Sequence, residues 1–168
     1  RLSGIYKPRK TTFAEVCFVD VPGPDGKGRG LDAGTVAALR EVDALVLVLR
    51  GFAGVGAAAP DATRELLDFE AELILADLQV VERRLERLGR ERANGAELVV
   101  LERCREALES ERALRRVELG PDELGLLSSY ALLSLRPVLG VLNVAESDVG
   151  RAVAEPLSRA CVERGIEV

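Results

Sequence analysis

Two short stretches of this 168-residue chain carry residues that could do chemistry. The first is Asp20-Val21-Pro22-Gly23, which follows the apolar run EVCFV. A carboxylate at a strand tip can hold Mg²⁺ through water. A glycine three residues later lets a backbone N–H approach a terminal phosphate. The second is Asn143-Val144-Ala145-Glu146, which follows PVLGVL. An amide and a carboxylate at that spacing can hold the edge of a purine base. Neither tetrad is specific alone, because Asp, Asn, Pro and Gly collect in any turn. Their order carries more: a strand ends in D-x-x-G, a helix and a strand follow, then helices, then a strand ending in N-x-x-E. Ligands of open parallel sheets bind at the carboxyl ends of strands, and both tetrads fall there.

Other chemistries are excluded by composition. There is no histidine, so His-based catalysis and His metal sites are absent. Cys17, Cys104 and Cys161 fit no zinc spacing and read as buried free thiols of a reducing, cytoplasmic environment. The net charge of −5 disfavours polyanion binding by the whole chain, and sequence-specific nucleic-acid recognition is not expected. No apolar run reaches the roughly 18 residues of a membrane helix, and no secretory leader opens the chain. The lack of methionine reads as a processed product or part of a longer chain. Gly26-Lys27-Gly28 hints at a phosphate loop but has no Ser or Thr after the lysine, and it follows D-x-x-G where a phosphate loop precedes it. No residue qualifies as catalytic.

The elements that must position the tetrads follow from periodicity. Glu15–Asp20 reads as a short buried strand, and Asp32–Glu41 as a helix with Asp32 as N-cap. Ala44–Leu49 (ALVLVL) reads as a strand buried on both faces, and 51–60 as a Gly/Ala loop. From Thr63 to about Arg92, Leu67, Ala71, Ile74, Leu78, Val81, Leu85 and Leu88 step by four and three. That is the heptad of a helix packed along a partner helix. Asn94-Gly95 breaks it. A second helix is predicted from Ala96 to Arg116 on Leu98, Leu101, Cys104 and Leu108, folding back as an antiparallel hairpin. Pro121-Asp122-Glu123 opens a third helix. Pro137–Leu142 is another strand, and 152–164 an amphipathic helix capped by Gly165. Ile166–Val168 begin a further strand. The exposed charges of the hairpin read as a solvated face, or, more sharply, as a surface on which Arg83, Arg84, Arg87 and Arg90 dock a partner.

Together these residues become recognisable. FVDVPG, GKGRGL, REVDALVLVLRGF and LLSLRPVLGVLNVAE resemble the YchF or Obg-like ATPase family of P-loop NTPases. AELILADLQVVERRLERL (71–88) resembles the helix which that family inserts into its nucleotide domain as a coiled coil. The resemblance implies an α/β fold: a partial P-loop NTPase-like parallel sheet with an inserted antiparallel α-helical coiled-coil hairpin. Residues 1–62 would be the partial nucleotide-binding domain with switch II, 63–118 the hairpin, and 119–168 the rest of the nucleotide domain. It implies that Asp20 holds Mg²⁺ through water, that Gly23 meets the γ-phosphate, and that Asn143 and Glu146 form the base pocket. Val144 replaces a base-stacking lysine. Its implied ligands are Mg²⁺ with ATP or GTP, and its implied partner is the ribosome. The sequence departs from the family in three ways. GxxxxGK[ST] is absent, and in the family it lies upstream of the matched region. Thr11 and Thr12 match no Mg²⁺ ligand. The segment after DVPG is shortened. Two readings follow: a piece of a YchF-like ATP/GTP hydrolase with incomplete nucleotide binding, or a divergent, inactive relative that acts as an interaction module through its hairpin.

Overall fold

The computed structural model describes residues 15–21, 23, 30–53, 59–92 and 94–168. Thr11, Thr12, Gly26–Gly28 and the middle of the 51–60 loop lie outside them. Two strands, β1 (Leu45–Arg50) and β2 (Val138–Asn143), pair in parallel, with Leu45 opposite Val138 and Arg50 opposite Asn143. Parallel pairing needs a crossover. Here it is long, and made of α2 (Ala62–Arg90), α3 (Ala96–Glu109), a 3-10 turn (Leu114–Arg116) and α4 (Pro121–Leu127). The helix α1 (Ala33–Arg40) precedes β1, and α5 (Glu155–Arg164) follows β2.

Local chemistry sets the helix ends. Asp32 caps α1 as predicted: Oδ1 accepts from the N–H groups of Gly34 at 2.7 Å and Thr35 at 3.0 Å. Those bonds, led by the one from Thr35, hold its carboxyl below the ordinary range. Glu123 reaches back from the first turn of α4 to accept from the Gly120 N–H at 2.8 Å. The helix α3 stops earlier than Arg116. Glu111 adopts a left-handed φ of 55° and the Arg112 N–H bonds to Ala107 O at 2.9 Å, an ending that closes the last turn. The predicted strand at 166–168 is reduced to one parallel bridge, Leu139 with Glu167. Gly140 permits this approach, since a Cβ there would lie 3.2 Å from Val168 Cγ2.

The sheet is covered on one face. Leu45 and Leu49 are buried against α2 and α5, while Val46 (48%) and Val48 (62%) stay exposed. On β2, Val138 is buried, whereas Leu139 and Val141 point outward. This corrects the expectation of a strand buried on both faces. An unbroken apolar run looks the same whether helices cover one face or two, and among the described residues they cover one.

Two cores share α2. Its first half packs Leu66 and Leu73 onto the sheet together with Leu157 and Cys161 of α5. Its second half packs Ile74, Val81 and Leu88 against Val100, Leu101, Cys104 and Leu108 of α3. The buried stripe therefore changes along the helix: Leu66 is fully buried, while the heptad positions Leu67 and Ala71 are exposed. Two buried acids lie on the inner side of α2. Asp77 accepts the N–H groups of Leu133 at 2.8 Å and Ser134 at 2.7 Å, which anchors the approach to β2. Burial pushes its carboxyl up, partly offset by these hydrogen bonds. Glu70 pairs with Arg115 and, at 2.8 Å, with Arg164.

Candidate functional site

The described residues separate the two tetrads by type of support. Asn143 is the last residue of β2, opposite Arg50 at the end of β1. The next residue after β1, Gly51, donates its N–H to Asn143 O at 2.7 Å. A Cβ on Gly51 would lie 2.9 Å from that oxygen and 2.9 Å from Val144 Cγ1, so only glycine lets the two strand exits meet this closely. Arg50 is tied to the start of α2: its N–H donates to Glu65 Oε2 at 3.0 Å and its Nε stands 3.5 Å from Glu65 Oε1. Glu146 opens a short 3-10 turn (Glu146–Asp148), with the Asp148 N–H bonded to Ala145 O at 2.8 Å. Asn143 and Glu146 are both exposed, at the carboxyl edge of the sheet, where a ligand can reach them.

The first tetrad is placed differently. Residues 15–21 form no strand, and Val16, Phe18 and Val19 are exposed at 72%, 81% and 57%. The expected buried strand Glu15–Asp20 is therefore corrected. Apolar and β-branched residues favour a strand only where a neighbouring strand satisfies the backbone, and β1 and β2 pair with each other rather than with this segment. Asp20 and Gly23 are exposed in irregular backbone. Among the described residues no hydrogen bond or ion pair joins Asp20 to Asn143 or Glu146, and no three acidic or thiol side chains gather as a metal cage. An exposed amide and carboxylate at the strand exit could hold the edge of a nucleotide base. They offer no cradle for its phosphates, since the sequence has no GxxxxGK[ST].

Arg83, Arg84, Arg87 and Arg90 of α2 have unequal environments. Arg84 is largely buried and is gripped at both ends of the Glu97 carboxylate, with Nε to Oε1 and Nη2 to Oε2 each at 2.8 Å. Tyr130 also donates to Glu97. The Arg84 guanidinium, then the Tyr130 hydroxyl, hold the Glu97 carboxyl down at about 2. Arg87 and Arg90 make only exposed pairs with Glu91 (3.5 Å) and Glu86 (3.4 Å). Arg83 donates to Gln79 O at 2.9 Å and meets no acid among the described residues. Sequence reasoning missed Arg40, Glu97 and Tyr130, which lie beside these arginines from other elements. The thiols offer no reactive centre within the core. Cys104 and Cys161 are buried and free, and burial pushes the Cys104 thiol up to about 11. Cys17 is exposed, which corrects the expectation of three buried thiols.

No family model matches the chain. It is 32% identical over 161 residues to the ribosome-binding ATPase YchF of Bacillus subtilis (strain 168), covering 89% of this chain and 44% of that protein. To the ribosome-binding ATPase YchF of Pasteurella multocida (strain Pm70) it is 34% identical over 158 residues, covering 86% of this chain and 43% of the relative. The solved structure of the Schizosaccharomyces pombe YchF GTPase superposes with a TM-score of 0.74 at 24% identity, over 88% of this chain and 44% of that one. The fold is therefore that of this GTPase, over the matched part. The chain spans less than half the length of the curated relatives it matches. Among the described residues no helix is long and apolar enough to cross a membrane.

Proposed function

The chain is a relative of the YchF and Obg-like ATPases along 89% of its own length, and from that premise we propose that it forms the switch II and base-side part of a nucleotide-binding domain. The observation that carries this is the locked strand exit, where the Gly51 N–H holds Asn143 O at 2.7 Å and presents Asn143 and Glu146 at the carboxyl edge of the sheet. Asn143 braces the loop and donates to the base. Glu146, one methylene longer than an aspartate, accepts from the base edge at a different reach, which relaxes the choice between adenine and guanine. Asp20 would hold Mg²⁺ through water, and Gly23 would offer its N–H to the terminal phosphate of ATP or GTP. Bound Mg²⁺ supplies charge neutralisation at those phosphates. The helices α2 and α3 form the inserted antiparallel coiled-coil hairpin, residues 63–118, between the two parts 1–62 and 119–168.

Phosphate affinity comes chiefly from the P-loop backbone and its lysine. These 168 residues alone are therefore expected to bind Mg-ATP negligibly. Calorimetry tests this, and a micromolar dissociation constant overturns it. The base pocket is tested by fusing a GxxxxGK[ST]-bearing segment of a P-loop ATPase ahead of Arg1. Micromolar Mg-ATP binding should appear, fall at least tenfold in N143A/E146A, and shift toward GTP in E146D. An affinity unchanged by N143A/E146A sinks the assignment.

A second reading is favoured by the exposure of Arg83, Arg87 and Arg90 along α2. In it the hairpin docks a partner, the ribosome in the cytoplasm, whether or not the domain hydrolyses nucleotide. Arg84, committed to Glu97, supports that surface from beneath. Co-sedimentation with ribosomes should weaken in R83E/R87E/R90E, and unchanged salt-dependent pelleting counts against it.

A further inference from the structure

A cleft lies between the last residue of α1, the middle of α2 and the segment from α4 to Tyr130. Its volume is about 840 Å³, within the range of small-ligand pockets, about 300–1,000 Å³. Arg40, Arg83, Arg84 and Arg87 line it, against one carboxylate, Glu97. Four cations and one anion leave a net charge of +3 in a chain whose total is −5. The one acid is already consumed by Arg84 and Tyr130. Among the described residues Arg83 has no acidic partner, and the exposed Arg87–Glu91 pair holds Arg87 only loosely. Arg40 Nε and Arg84 Nη1 are covered yet have no acceptor among the described residues. The cleft therefore holds more donors than the protein uses.

The surroundings define the shape of the anion. Arg83 and Arg87 stand one turn apart on α2, about 6 Å, and Arg40 reaches in from α1. Ser128 and Ser129 also line the cleft, the Ser128 hydroxyl donating to Gly125 O at 2.7 Å. Guanidinium forks grip phosphate oxygens in pairs. Around the cleft, acids alternate with the arginines: Glu82 and Glu86 are exposed on α2, and Glu91 just past its end. Those acids offset positive charge along the helix outside the concavity, where no such surplus gathers. The cleft is also remote from the strand exits: Arg83 lies 18 residues along α2 from Glu65, which touches the end of β1. At the helical rise that is about 27 Å.

We infer that this cleft binds a compact polyphosphate group, at a site separate from the nucleotide edge at Asn143 and Glu146. The inference does not depend on the nucleotide reading, and pyrophosphate is its probe. Calorimetry at low ionic strength with the 168-residue chain should give one saturable pyrophosphate site whose affinity falls with salt. R83E/R87E should weaken it at least tenfold, R83Q/R87Q less steeply, and R90E, outside the cleft, should leave it unchanged. N143A/E146A should also leave it unchanged. Failure of pyrophosphate to bind at millimolar concentration overturns the proposal. So does equal weakening by R90E, which marks unspecific attraction, and so does binding of a single-stranded oligonucleotide without pyrophosphate, which assigns the arginines to nucleic-acid docking.

Discussion

Single residues decide how the charges inside this chain are tolerated. Asp77 is fully buried, and its two oxygens take the N–H groups of Leu133 and Ser134. Asp77→Ala leaves both donors unpaired, which is expected to cost about 3 kcal/mol. Urea denaturation measures it, and a loss below about 1 kcal/mol would mean that water replaces the carboxylate. Glu97 gives a pH signature. Its carboxyl lies at about 2 when folded against an ordinary value of 4.5. A depressed acid contributes stability in full above the ordinary value and loses it as pH falls toward the folded one. Melting temperature should therefore drop between pH 4.5 and about 2. In Glu97→Gln the neutral-pH value should be lower and the drop across that window smaller. Equal slopes in both proteins would reject the assignment. Neither role was legible in the sequence. Asp77 meets partners 56 and 57 residues away, and Arg84 reads as one of a row of surface arginines until Glu97 and Tyr130 are folded against it.

At the scale of elements, local patterns were read well where their partners are also helical. The long α2, the Asn94-Gly95 break, the α3 seam of Leu101, Cys104 and Leu108, and the Asp32 cap all follow from short-range chemistry. The parallel strands β1 and β2 were read within one residue of their bounds, because β-branched runs of six between helices have few alternatives. What failed depends on neighbours. EVCFVD has strand composition but no strand beside it. The strict heptad of α2 continues past the point where the helix changes from facing α3 to facing the sheet. That difference is measurable. Leu66→Ala should destabilise by about 3 kcal/mol, as a deletion at a fully buried site. Leu67→Ala, at a 37% exposed position, should lose less than about 1 kcal/mol. Chemical denaturation of the two variants compares them, and the reverse order would restore the uninterrupted heptad. The candidate base edge was legible for the same reason as β2: N-x-x-E follows directly on a strand. The support from Gly51 was not, because nothing local couples the exits of two strands that lie far apart in the chain.

Among the described residues the molecule is two cores strung on one helix, with the outer sheet face of Val46, Val48, Leu139 and Val141 exposed. A shared helix alone is a thin coupling, since each half of α2 could remain packed while the other melts. The stronger link is ionic. Glu70 on α2 pairs with Arg115 of the 3-10 turn after α3 and with Arg164 at the end of α5. Arg115 adds hydrogen bonds from its Nε to Arg164 O at 3.2 Å and from its backbone N–H to Ser134 O at 2.9 Å. One carboxylate thus binds the helical core to the sheet core. Both Glu70 and Arg115 are almost wholly buried, at 7% side-chain exposure each. Burial lowers the Arg115 guanidinium from its usual range, and Glu70 opposes that shift. Glu70→Ala would leave Arg115 buried without its counter-charge, a change that typically costs about 3–5 kcal/mol. Beyond the loss of stability, the two cores should part. In the parent chain, amides near Leu101 and near Leu49 should exchange with one common opening free energy, as in a single cooperative unit. In Glu70→Ala the Leu49 region should exchange through a cheaper opening while the α2–α3 region keeps its own. Hydrogen exchange resolved by residue distinguishes the outcomes. If both regions weaken by the same amount, cooperativity resides in the packing of α2, and the buried ion pairs contribute stability without joining the cores.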